Sequence, residues 1–454
     1  MTSAPSSDTL DAIFKAYDIR GVYPEEIDEL IARLVGNAFV AFTGAPKVLV
    51  GRDARPSSEP LVEAFVDGAL RAGADVVDLG LASTDLVYFA AGSLDAPAAM
   101  FTASHNPAQY NGIKLCRAGA APVGEETGLR QLRAMVAEGL LERAEEPGRL
   151  ERRDLLGPFV NHVRSFVDLD ALAPLRVVTD TANGVGGLIV PAVFSGLPME
   201  VSMLFAELDG TFPNHPADPI NVENLRDLQR AVRDESADIG LAFDGDADRV
   251  FLVDDQAQPV SGSTTTAILA KAMLERSPGG LVVHNLICSR AVPEVIRESG
   301  GTPIRTRVGH SFIKAVMAET DAAFGGEHSA HYYFRDNFRA DSGIIAALIV
   351  LEQLSKAGVP LSEYRVPFER YAASGEINTR VADPLAAIED VAAAYADAHQ
   401  DRLDGLTVEF DDWWFNLRPS NTEPLLRLNV EAANPEECAR HTAEVLARFG
   451  GEAD

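Results

Sequence analysis

Cysteine, lysine and long apolar runs are all scarce in this 454-residue chain. The three cysteines, Cys116, Cys288 and Cys438, lie far apart and form no metal-ligand spacing, which is typical of reduced thiols in the cytoplasm. No run approaches the roughly 18 uncharged apolar residues that a membrane span needs. Residues 1–8 lack the basic start and the apolar run of a signal peptide. The sequence therefore predicts a cytoplasmic protein with no membrane partner.

Positive charge is also in short supply. The chain has 39 Lys and Arg residues, of which only six are lysines, against 68 Asp and Glu residues, and its formal net charge is −29. A field of this sign repels nucleic acid and anionic membranes, so neither is expected as a partner. An anionic substrate would need a locally basic pocket. Since 46% of the residues are hydrophobic, the chain can still form several cores of about 100–150 residues each.

The sequence contains a repeated alternation of strand-like and helix-like segments. Apolar, β-branched runs such as 48–51 and 175–180 end in glycine or aspartate, and amphipathic segments such as 61–72 and 225–236 lie between such runs. This alternation is typical of α/β proteins with largely parallel sheets. The strand-like run 249–254 follows a loop directly, which predicts a local antiparallel hairpin within a mixed sheet.

Three charged or polar stretches, 139–154, 254–264 and 366–376, divide the chain into four parts of ordinary domain size. Three mixed-sheet α/β domains and a smaller α+β C-terminal domain are expected. The predicted domains are 1–152, 153–256, 257–368 and 369–454.

The first of four chemically distinctive loops is the serine loop, Phe-Thr-Ala-Ser-His-Asn-Pro at 101–107, which follows an apolar run. A serine at a strand end, flanked by hydroxyl, imidazole and amide groups, suits a phosphorylatable nucleophile, which makes Ser104 the candidate. Proline and asparagine favour a turn here. Alone, the motif leaves a second interpretation open, in which the hydroxyl groups only cap the next helix.

The second is the acidic loop, Asp-Gly-Asp-Ala-Asp-Arg at 244–249. Three carboxylates at alternate positions can converge on one hard cation, and three ligands leave room for a phosphate oxygen in the shell of magnesium. An EF-hand would need glycine at its sixth position and glutamate at its twelfth, where this chain has Arg249 and Asp255. That interpretation is excluded, and a solvated acidic turn stays open.

The other two loops carry groups suited to a sugar phosphate. The Glu327 loop, Gly-Gly-Glu-His-Ser-Ala-His at 325–331, offers a carboxylate and a hydroxyl two residues apart, which can bind vicinal sugar hydroxyls. The Arg418 loop, Arg-Pro-Ser-Asn-Thr-Glu-Pro at 418–424, offers a compact set of donors for a phosphate. A plain turn remains an alternative for both, although a turn alone explains the arginine less readily.

Taken in order, these four loops resemble the α-D-phosphohexomutase superfamily, and within it the chain is most similar to the bacterial phosphomannomutase/phosphoglucomutase branch. The resemblance extends from 14–21 to Thr422 and includes 51–55, 111–114 and 308–314. It implies four domains around a central cleft, with one loop from each domain.

The resemblance also implies an enzyme, an intramolecular phosphotransferase that interconverts hexose 1-phosphates and hexose 6-phosphates of mannose, glucose or both. The reaction would pass through a phosphoserine and a bisphosphorylated sugar. The implied cofactors are one Mg²⁺ per active site and a sugar 1,6-bisphosphate as activator. The implied partners are small-molecule hexose phosphates, and a monomer or a dimer is expected.

The resemblance implies functional residues at the positions of this chain that match the family's motifs. The catalytic residues would be Ser104, Lys114, Arg20 and His310, with Lys114 and His310 as candidates for proton transfer. The metal ligands would be Ser104, Asp244, Asp246 and Asp248. The substrate-binding residues would be Tyr17, Arg249, Glu327, Ser329 and His331 for the sugar, and Arg418, Ser420, Asn421 and Thr422 for the phosphate that is not reacting.

Four positions, in three segments of the chain, depart from the family pattern. Ala247 stands in the acidic loop where glycine is commoner, and His328 and Ala330 stand in the Glu327 loop where related enzymes often have methionine or glutamine, and glycine. Ile287 falls where a substrate-contacting lysine is expected, which puts one substrate contact in doubt.

Other functions remain open at this stage. A phosphoglucosamine mutase is the nearest alternative, since the sequence does not distinguish the sugars. A phosphatase would differ by net release of phosphate. A non-catalytic sugar-phosphate-binding protein ought to have lost Ser104 or an acidic ligand, and this chain has kept them all.

Overall fold

The computed structural model of the chain describes residues 5–139, 143–419 and 425–450, apart from the side chain of His310. The chain forms two compact units. The first unit comprises the described residues up to Ser261 together with Ser329–Tyr364, and the second comprises Gly262–His328 and the described residues from Arg365 onward. Within the described ranges, no single helix has the length and apolarity to cross a membrane; only the bent pair Gly343–Ala357 and Leu361–Phe368, taken together, meets that criterion.

A six-stranded mixed sheet begins the first unit, with strand order β1-β5-β4-β2-β3-β6. Strand β2 pairs in parallel with β3 and β4, whereas β5 runs antiparallel to β1 and β4. Phe39, Phe65 and Phe101 form the centre of its core. The strands are β1 (Ile19–Val22), β2 (Lys47–Arg52), β3 (Asp75–Leu81), β4 (Ala98–Phe101), β5 (Tyr110–Cys116) and β6 (Leu150–Arg152), and the helices are α1 (Ser7–Ile13), α2 (Glu29–Thr43), α3 (Ser58–Arg71), α4 (Thr84–Ser93) and α5 (Arg130–Ala137).

A second mixed sheet of five strands follows in the same unit, with order β11-β10-β9-β7-β8. Strand β7 pairs in parallel with β8 and β9. Strands β9 and β10 pair antiparallel, with Phe243 opposite Val250, which confirms the predicted hairpin. The elements are α6 (Leu156–Arg164), β7 (Arg176–Asp180), α7 (Gly186–Phe194), β8 (Glu200–Leu204), α8 (Arg226–Glu235), β9 (Ile239–Phe243), β10 (Val250–Asp254) and β11 (Pro259–Val260).

The second unit begins with a third α/β segment, in which β12 pairs in parallel with β13 and β14. Its elements are α9 (Gly262–Arg276), β12 (Leu281–Asn285), α10 (Ala291–Glu298), β13 (Thr302–Thr306), α11 (His310–Thr320) and β14 (Phe324–Gly326). The chain then returns to the first unit with β15 (Tyr332–Phe334), α12 (Gly343–Ala357) and α13 (Leu361–Tyr364), and the buried helix α12 packs against α6 and β10.

The C-terminal part of the second unit is an antiparallel sheet of order β16-β20-β19-β18-β17, covered by two helices. Alternating side chains of β19 and β20 enter a core that includes Trp413, Phe415 and Leu428. The elements are β16 (Ala372–Arg380), α14 (Pro384–Ala394), β17 (His399–Asp401), β18 (Leu406–Glu409), β19 (Trp413–Pro419), β20 (Leu425–Ala432) and α15 (Pro435–Phe449). Three α/β sheets and a smaller α+β domain agree with the predicted fold class.

Candidate active site

The serine loop leaves the sheet of the first unit between β4 and β5, and Ser104 is buried there with a φ of 50°. Its backbone N–H donates to Thr102 Oγ1 at 2.9 Å. Its hydroxyl donates to Asp244 Oδ2 at 2.7 Å, although 140 residues separate the two in sequence. The serine loop and the acidic loop therefore meet at one point.

Arg55, at the end of the Gly-Arg-Asp-Ala-Arg motif, stabilises the serine loop through hydrogen bonds to its backbone. Its side chain is fully buried and pairs with Asp53 at 3.0 Å. The guanidinium donates to four backbone carbonyls of the loop and the residues after it, at Ser104 (2.9 Å), Asn106 (2.7 Å), Pro107 (2.7 Å) and Tyr110 (3.0 Å). The motif contributed to the family resemblance, but no feature of the sequence predicts a role for Arg55.

The acidic loop connects the two strands of the hairpin and passes close to the serine loop. A Cβ atom at position 245 would lie 2.5 Å from the carbonyl oxygen of Ser104, so only glycine fits. The carboxylates of Asp244, Asp246 and Asp248 are buried, and one oxygen of each lies within 4.8 Å of the others. The alternation seen in the sequence thus brings three acids to one place.

The hydrogen bonds of these carboxylates show how they could hold a cation. Lys114 Nζ donates at 2.7 Å to Oδ2 of both Asp246 and Asp248. The Oδ1 atoms of the same two aspartates are buried and have no hydrogen-bond partner in the described part of the chain. Buried carboxylate oxygens without a donor are costly unless a cation satisfies them, so these residues fit a hard metal ion.

Burial and neighbouring charge set the ionisation of this cluster. Burial, opposed by Arg249 and reinforced by Asp246 and Asp248, raises the pKa of Asp244 well above its usual value. Burial also acts on Asp246, but Lys114 outweighs it and holds the pKa of that carboxyl below its usual value. Burial opposes the protonated form of Lys114, but the carboxylates of Asp246 and Asp248 outweigh it and raise the pKa of Lys114 well above normal. Lys114 is therefore a fixed positive charge in this arrangement.

Arg249 adds a second fixed charge beside Ser104. Its Nε donates to Asp244 Oδ2 at 2.9 Å, and the carboxylates around it keep its pKa above the ordinary value despite complete burial. Its Nη2 is buried and finds no partner within the described residues. That atom is available to an anionic ligand.

His105 is a neighbour of Ser104 to which no sequence motif assigned a role. Its Nδ1 lies 3.2 Å from Ser104 Oγ. Burial, and then the charges of Arg249 and Arg20, lower its pKa well below the usual histidine value. The ring is thus neutral near pH 7. Adjacency to Ser104 was the one signal in the sequence that could have identified it.

The remaining predicted residues of the first unit lie around the two loops. Arg20, on β1, donates to Asn106 of the serine-loop turn and pairs with Asp18, and Tyr17 lies just before that strand. His331 Nε2 lies 3.8 Å from Asp248 Oδ1, and Ser329 Oγ lies 3.2 Å from His331 Nδ1. His331 also forms a backbone bridge with Arg249, which fixes it beside the acidic loop.

The predicted residues of the second unit have their own surroundings. Glu327 is buried, and its Oε1 accepts from Asn285 Nδ2 at 3.2 Å and from the backbone N–H of Gly309 at 3.1 Å. Arg418, on β19, pairs with Glu376 of β16. His310 begins α11, and its side chain lies outside the described residues, as do Ser420, Asn421 and Thr422.

Two positions that depart from the family pattern have clear local structures. Ile287 is buried beside Leu286 and Cys288, after β12. His328 Nδ1 lies 2.9 Å from Ser263 Oγ, so that histidine is packed within the second unit. Neither observation restores the substrate contact that a lysine at 287 would make.

Comparison with known proteins gives one consistent result. Four models of the phosphoglucomutase/phosphomannomutase family match the chain: alpha/beta/alpha domain I at 11–140, domain II at 157–258, domain III at 261–371 and the C-terminal domain at 376–448. A phosphomannomutase from Salmonella montevideo is 41% identical over 430 residues, 92% of this chain and 94% of that protein. A phosphomannomutase from Methanocaldococcus jannaschii is 36% identical over 436 residues, 95% of this chain and 96% of that protein.

Solved structures agree. The structure of a phosphoglucomutase/phosphomannomutase family protein from Burkholderia thailandensis superposes with a TM-score of 0.88 at 32% identity, covering 97% of this chain and 99% of the other.

Proposed function

The chain belongs to the phosphoglucomutase/phosphomannomutase family, and from that premise we propose that it is a phosphohexomutase, interconverting hexose 1-phosphate and hexose 6-phosphate with Ser104 as the phosphoryl carrier. Mannose is the proposed sugar, because the relatives from Salmonella montevideo and Methanocaldococcus jannaschii, at 41% and 36% identity, are named phosphomannomutases.

The contact between Ser104 and the acidic loop carries this proposal. The Ser104 hydroxyl lies 2.7 Å from Asp244 among three buried carboxylates, with the charges of Lys114 and Arg249 beside it. Phosphoryl transfer depends mainly on positioning and on positive charge around the migrating group. This cluster supplies both within a protein of net charge −29.

The transfer itself needs a donor, an acceptor and a proton path. A hydroxyl of the sugar monophosphate attacks the phosphorus of phosphorylated Ser104 and the bond from phosphorus to Ser104 Oγ breaks. The products are a bisphosphorylated sugar and Ser104, whose oxygen takes up a proton to restore the hydroxyl. The proton of the attacking sugar hydroxyl passes to a base, for which His310 is the proposed residue. Lys114, held as a cation by two carboxylates, is better suited to stabilise charge than to accept the proton.

The metal is proposed to be one Mg²⁺. Asp244, Asp246 and Asp248 would hold it together with an oxygen of the Ser104 group, which agrees with two buried carboxylate oxygens that lack donors in the described residues. Bound there, magnesium would neutralise negative charge on the phosphoryl group.

Substrate binding is assigned by the same family resemblance. We propose that the sugar contacts Tyr17, Arg20, Arg249, Glu327, Ser329 and His331, and that the phosphate that is not reacting contacts Arg418, Ser420, Asn421 and Thr422. The bisphosphate must turn over before the second transfer, so one set of residues serves both orientations. A sugar 1,6-bisphosphate is the proposed activator that phosphorylates Ser104 at the start.

A coupled assay tests the proposal directly. Mannose, glucose and glucosamine 1-phosphates would be compared, each with a hexose 1,6-bisphosphate activator, for the native protein, Ser104→Ala and the control Ser93→Ala. Mannose 1-phosphate is expected to give mannose 6-phosphate with the native protein and the control only. Fastest turnover of glucosamine 1-phosphate would identify a phosphoglucosamine mutase, and net release of phosphate would identify a phosphatase. Binding without turnover would indicate a binding protein.

A further inference from the structure

We infer that Thr84, the first residue of α4, is a positioning residue for the metal. Its hydroxyl holds the Asp246 carboxylate so that one oxygen faces the cation. This inference rests on the proposed metal site and adds a residue from a different part of the chain to it.

The contact is short and has two parts. Thr84 Oγ1 donates to Asp246 Oδ2 at 2.6 Å, and the backbone N–H of Thr84 donates to the carbonyl oxygen of Asp246 at 3.1 Å. Both residues are fully buried. One residue therefore fixes the main chain and the side chain of Asp246 together, across a separation of 162 residues.

The two carboxylate oxygens of Asp246 differ in their hydrogen bonding. Oδ2 accepts from both Thr84 and Lys114, whereas Oδ1 is buried with no donor among the described residues. Lys114 also serves Asp248 at 2.7 Å, so it is shared between two carboxylates. Thr84 is the donor that acts on Asp246 alone and thereby selects Oδ1 as the metal-facing atom.

Thr84 is itself held in place by the hydrogen bonds of its neighbours Ser83 and Asp85. Ser83 caps α4 by accepting from the backbone N–H of Leu86 at 3.4 Å. Asp85 accepts from Ser83 and, at 2.6 Å, from Ser342, the residue that caps α12. The start of α4 is thus tied to a second helix, so Thr84 cannot easily move with Asp246.

A direct metal titration separates this role from general stability. Mn²⁺, a paramagnetic substitute for magnesium, would be titrated into the full-length protein and its free fraction followed by electron paramagnetic resonance. The variants are Thr84→Val, which keeps the side-chain shape and removes the donor, Thr84→Ser, which keeps the donor, and the control Thr179→Val. Thr179 is buried in β7, where its hydroxyl donates to the Ser202 carbonyl oxygen at 3.5 Å.

We expect the Mn²⁺ dissociation constant to rise about tenfold in Thr84→Val, in the range seen when outer-shell partners of metal ligands are removed. Thr84→Ser and Thr179→Val should stay within about twofold of the native protein. In steady-state assays, the magnesium concentration for half-maximal rate should rise by a similar factor in Thr84→Val, while kcat at saturating magnesium changes by less than about threefold.

Each other result contradicts the inference. Unchanged Mn²⁺ affinity in Thr84→Val, or an equal loss of affinity in Thr84→Ser, would show that the Thr84 hydroxyl does not position Asp246 for the metal. If Thr84→Val does not fold, Thr84→Ala is titrated instead, and the same two outcomes apply. A native protein that binds no Mn²⁺ would overturn the proposed metal site and this inference together, whereas native binding with an unaffected variant would overturn only the role of Thr84.

Discussion

Ala247 has a backbone conformation that L-residues adopt at a cost. Its φ is 59°, in the left-handed region, and the residue is buried in the turn that sets the spacing of the three aspartates. The left-handed conformation costs an L-residue about 1–2 kcal/mol, and glycine avoids this cost. The departure from the commoner glycine is therefore tolerated but strained.

We expect Ala247→Gly to be less destabilising than Ala242→Gly by about 1–2 kcal/mol. Ala242 is a matched control, because it is a buried alanine in the adjacent strand β9 and has no positive φ. Urea denaturation of both variants would measure the difference. Equal losses of stability would mean that position 247 carries no strain.

Asp85 is a buried acid whose ionisation should be visible in the stability of the protein. Burial is the main cause that raises its pKa to about 7, opposed by hydrogen bonds from Ser342 and Ser83 and reinforced by the charge of Asp248. Because its pKa is higher in the folded state, the folded protein holds a proton that the unfolded chain releases. The stabilisation of the folded state by protonated Asp85 is therefore complete below about pH 4 and is lost as the pH rises toward 7.

We expect metal-free native protein to lose about 2–3 kcal/mol of unfolding free energy relative to Asp85→Asn between pH 5 and pH 7.5. Urea denaturation at both pH values, with chelator present, would show this. An Asp209→Asn control removes a partly exposed carboxyl whose pKa is lowered by hydrogen bonds from Thr211, so its trend should be slight and opposite in sign. A pH-independent difference for Asp85→Asn would contradict the assignment.

The residues that sequence analysis identified and those it missed differ in where their partners lie. Ser104 and the three aspartates stand in short continuous motifs, so their chemistry can be recognised locally. Thr84, Arg55 and His105 act through neighbours or through contacts with distant parts of the chain. Thr84 reaches Asp246 across 162 residues, and nothing in the local sequence predicts that approach.

At the scale of an element, the serine loop is shaped more by Arg55 than by its own turn residues. Five hydrogen bonds from one guanidinium fix Asp53 and four carbonyls around Ser104. The planar fork of arginine makes this possible, and a lysine ammonium has only three donors.

We expect Arg55→Lys to lower the unfolding free energy by about 2–4 kcal/mol, because buried carbonyls lose donors. We also expect kcat/KM to fall at least about tenfold, because small displacements of a reacting group are costly. The matched control is Arg52→Lys in the same motif, where the arginine pairs with the exposed Glu59 at 3.6 Å. That change should leave both quantities nearly unaltered. Equal effects of the two substitutions would show that Arg55 does not organise the loop.

The C-terminal sheet presents Arg418 from β19. Arg418 and Arg427 both pair with Glu376, the latter at 3.2 Å, so one carboxylate lies between two guanidiniums. Arg418 Nε is buried and lacks a partner in the described ranges. A phosphate near this residue would gain charge-assisted hydrogen bonds of roughly 1.5–3 kcal/mol each.

We expect Arg418→Ala to weaken binding of both mannose 1-phosphate and mannose 6-phosphate by about 10- to 100-fold. Titration calorimetry in the Ser104→Ala background avoids turnover during the measurement. Arg427→Ala, which removes the other partner of Glu376, should change affinity by less. Loss of only one ligand, or unchanged affinity for both, would place the phosphate elsewhere.

The elements themselves were largely predictable. The amphipathic segments predicted at 61–72 and 225–236 are helices at 58–71 and 226–235, and the hairpin after the acidic loop is present. Sheet order was not predictable, because parallel strands such as β2 and β4 pair across an intervening strand and two helices. Periodicity gives the type of each element but not its partner.

At the scale of the whole molecule, composition and four loops were enough to predict a four-part α/β chain of this family. The predicted domain boundaries at 152, 256 and 368 stay predictions. The return of 329–364 to the first unit is not predictable from the sequence, because it depends on contacts between distant parts of the chain, such as the packing of α12 on β10 and α6. Such a return leaves no signal in local sequence.

The strongly negative net charge of the molecule contrasts with two fixed positive charges at the candidate active site. The chain carries a net charge of −29, yet Lys114 and Arg249 are held by the carboxylates of the acidic loop, to which Ser104 also donates. We propose that this arrangement makes Ser104 a phosphoryl carrier.

Intact-mass spectrometry can detect a phosphoryl group carried by Ser104. Native protein treated with a hexose 1,6-bisphosphate is expected to gain the mass of one phosphate, which fragmentation places on Ser104 and which excess hexose monophosphate removes. Ser104→Ala should show neither the gain nor turnover, whereas Ser93→Ala should show both. The same gain in Ser104→Ala, or none in native protein that still converts the sugar phosphates, would contradict the claim.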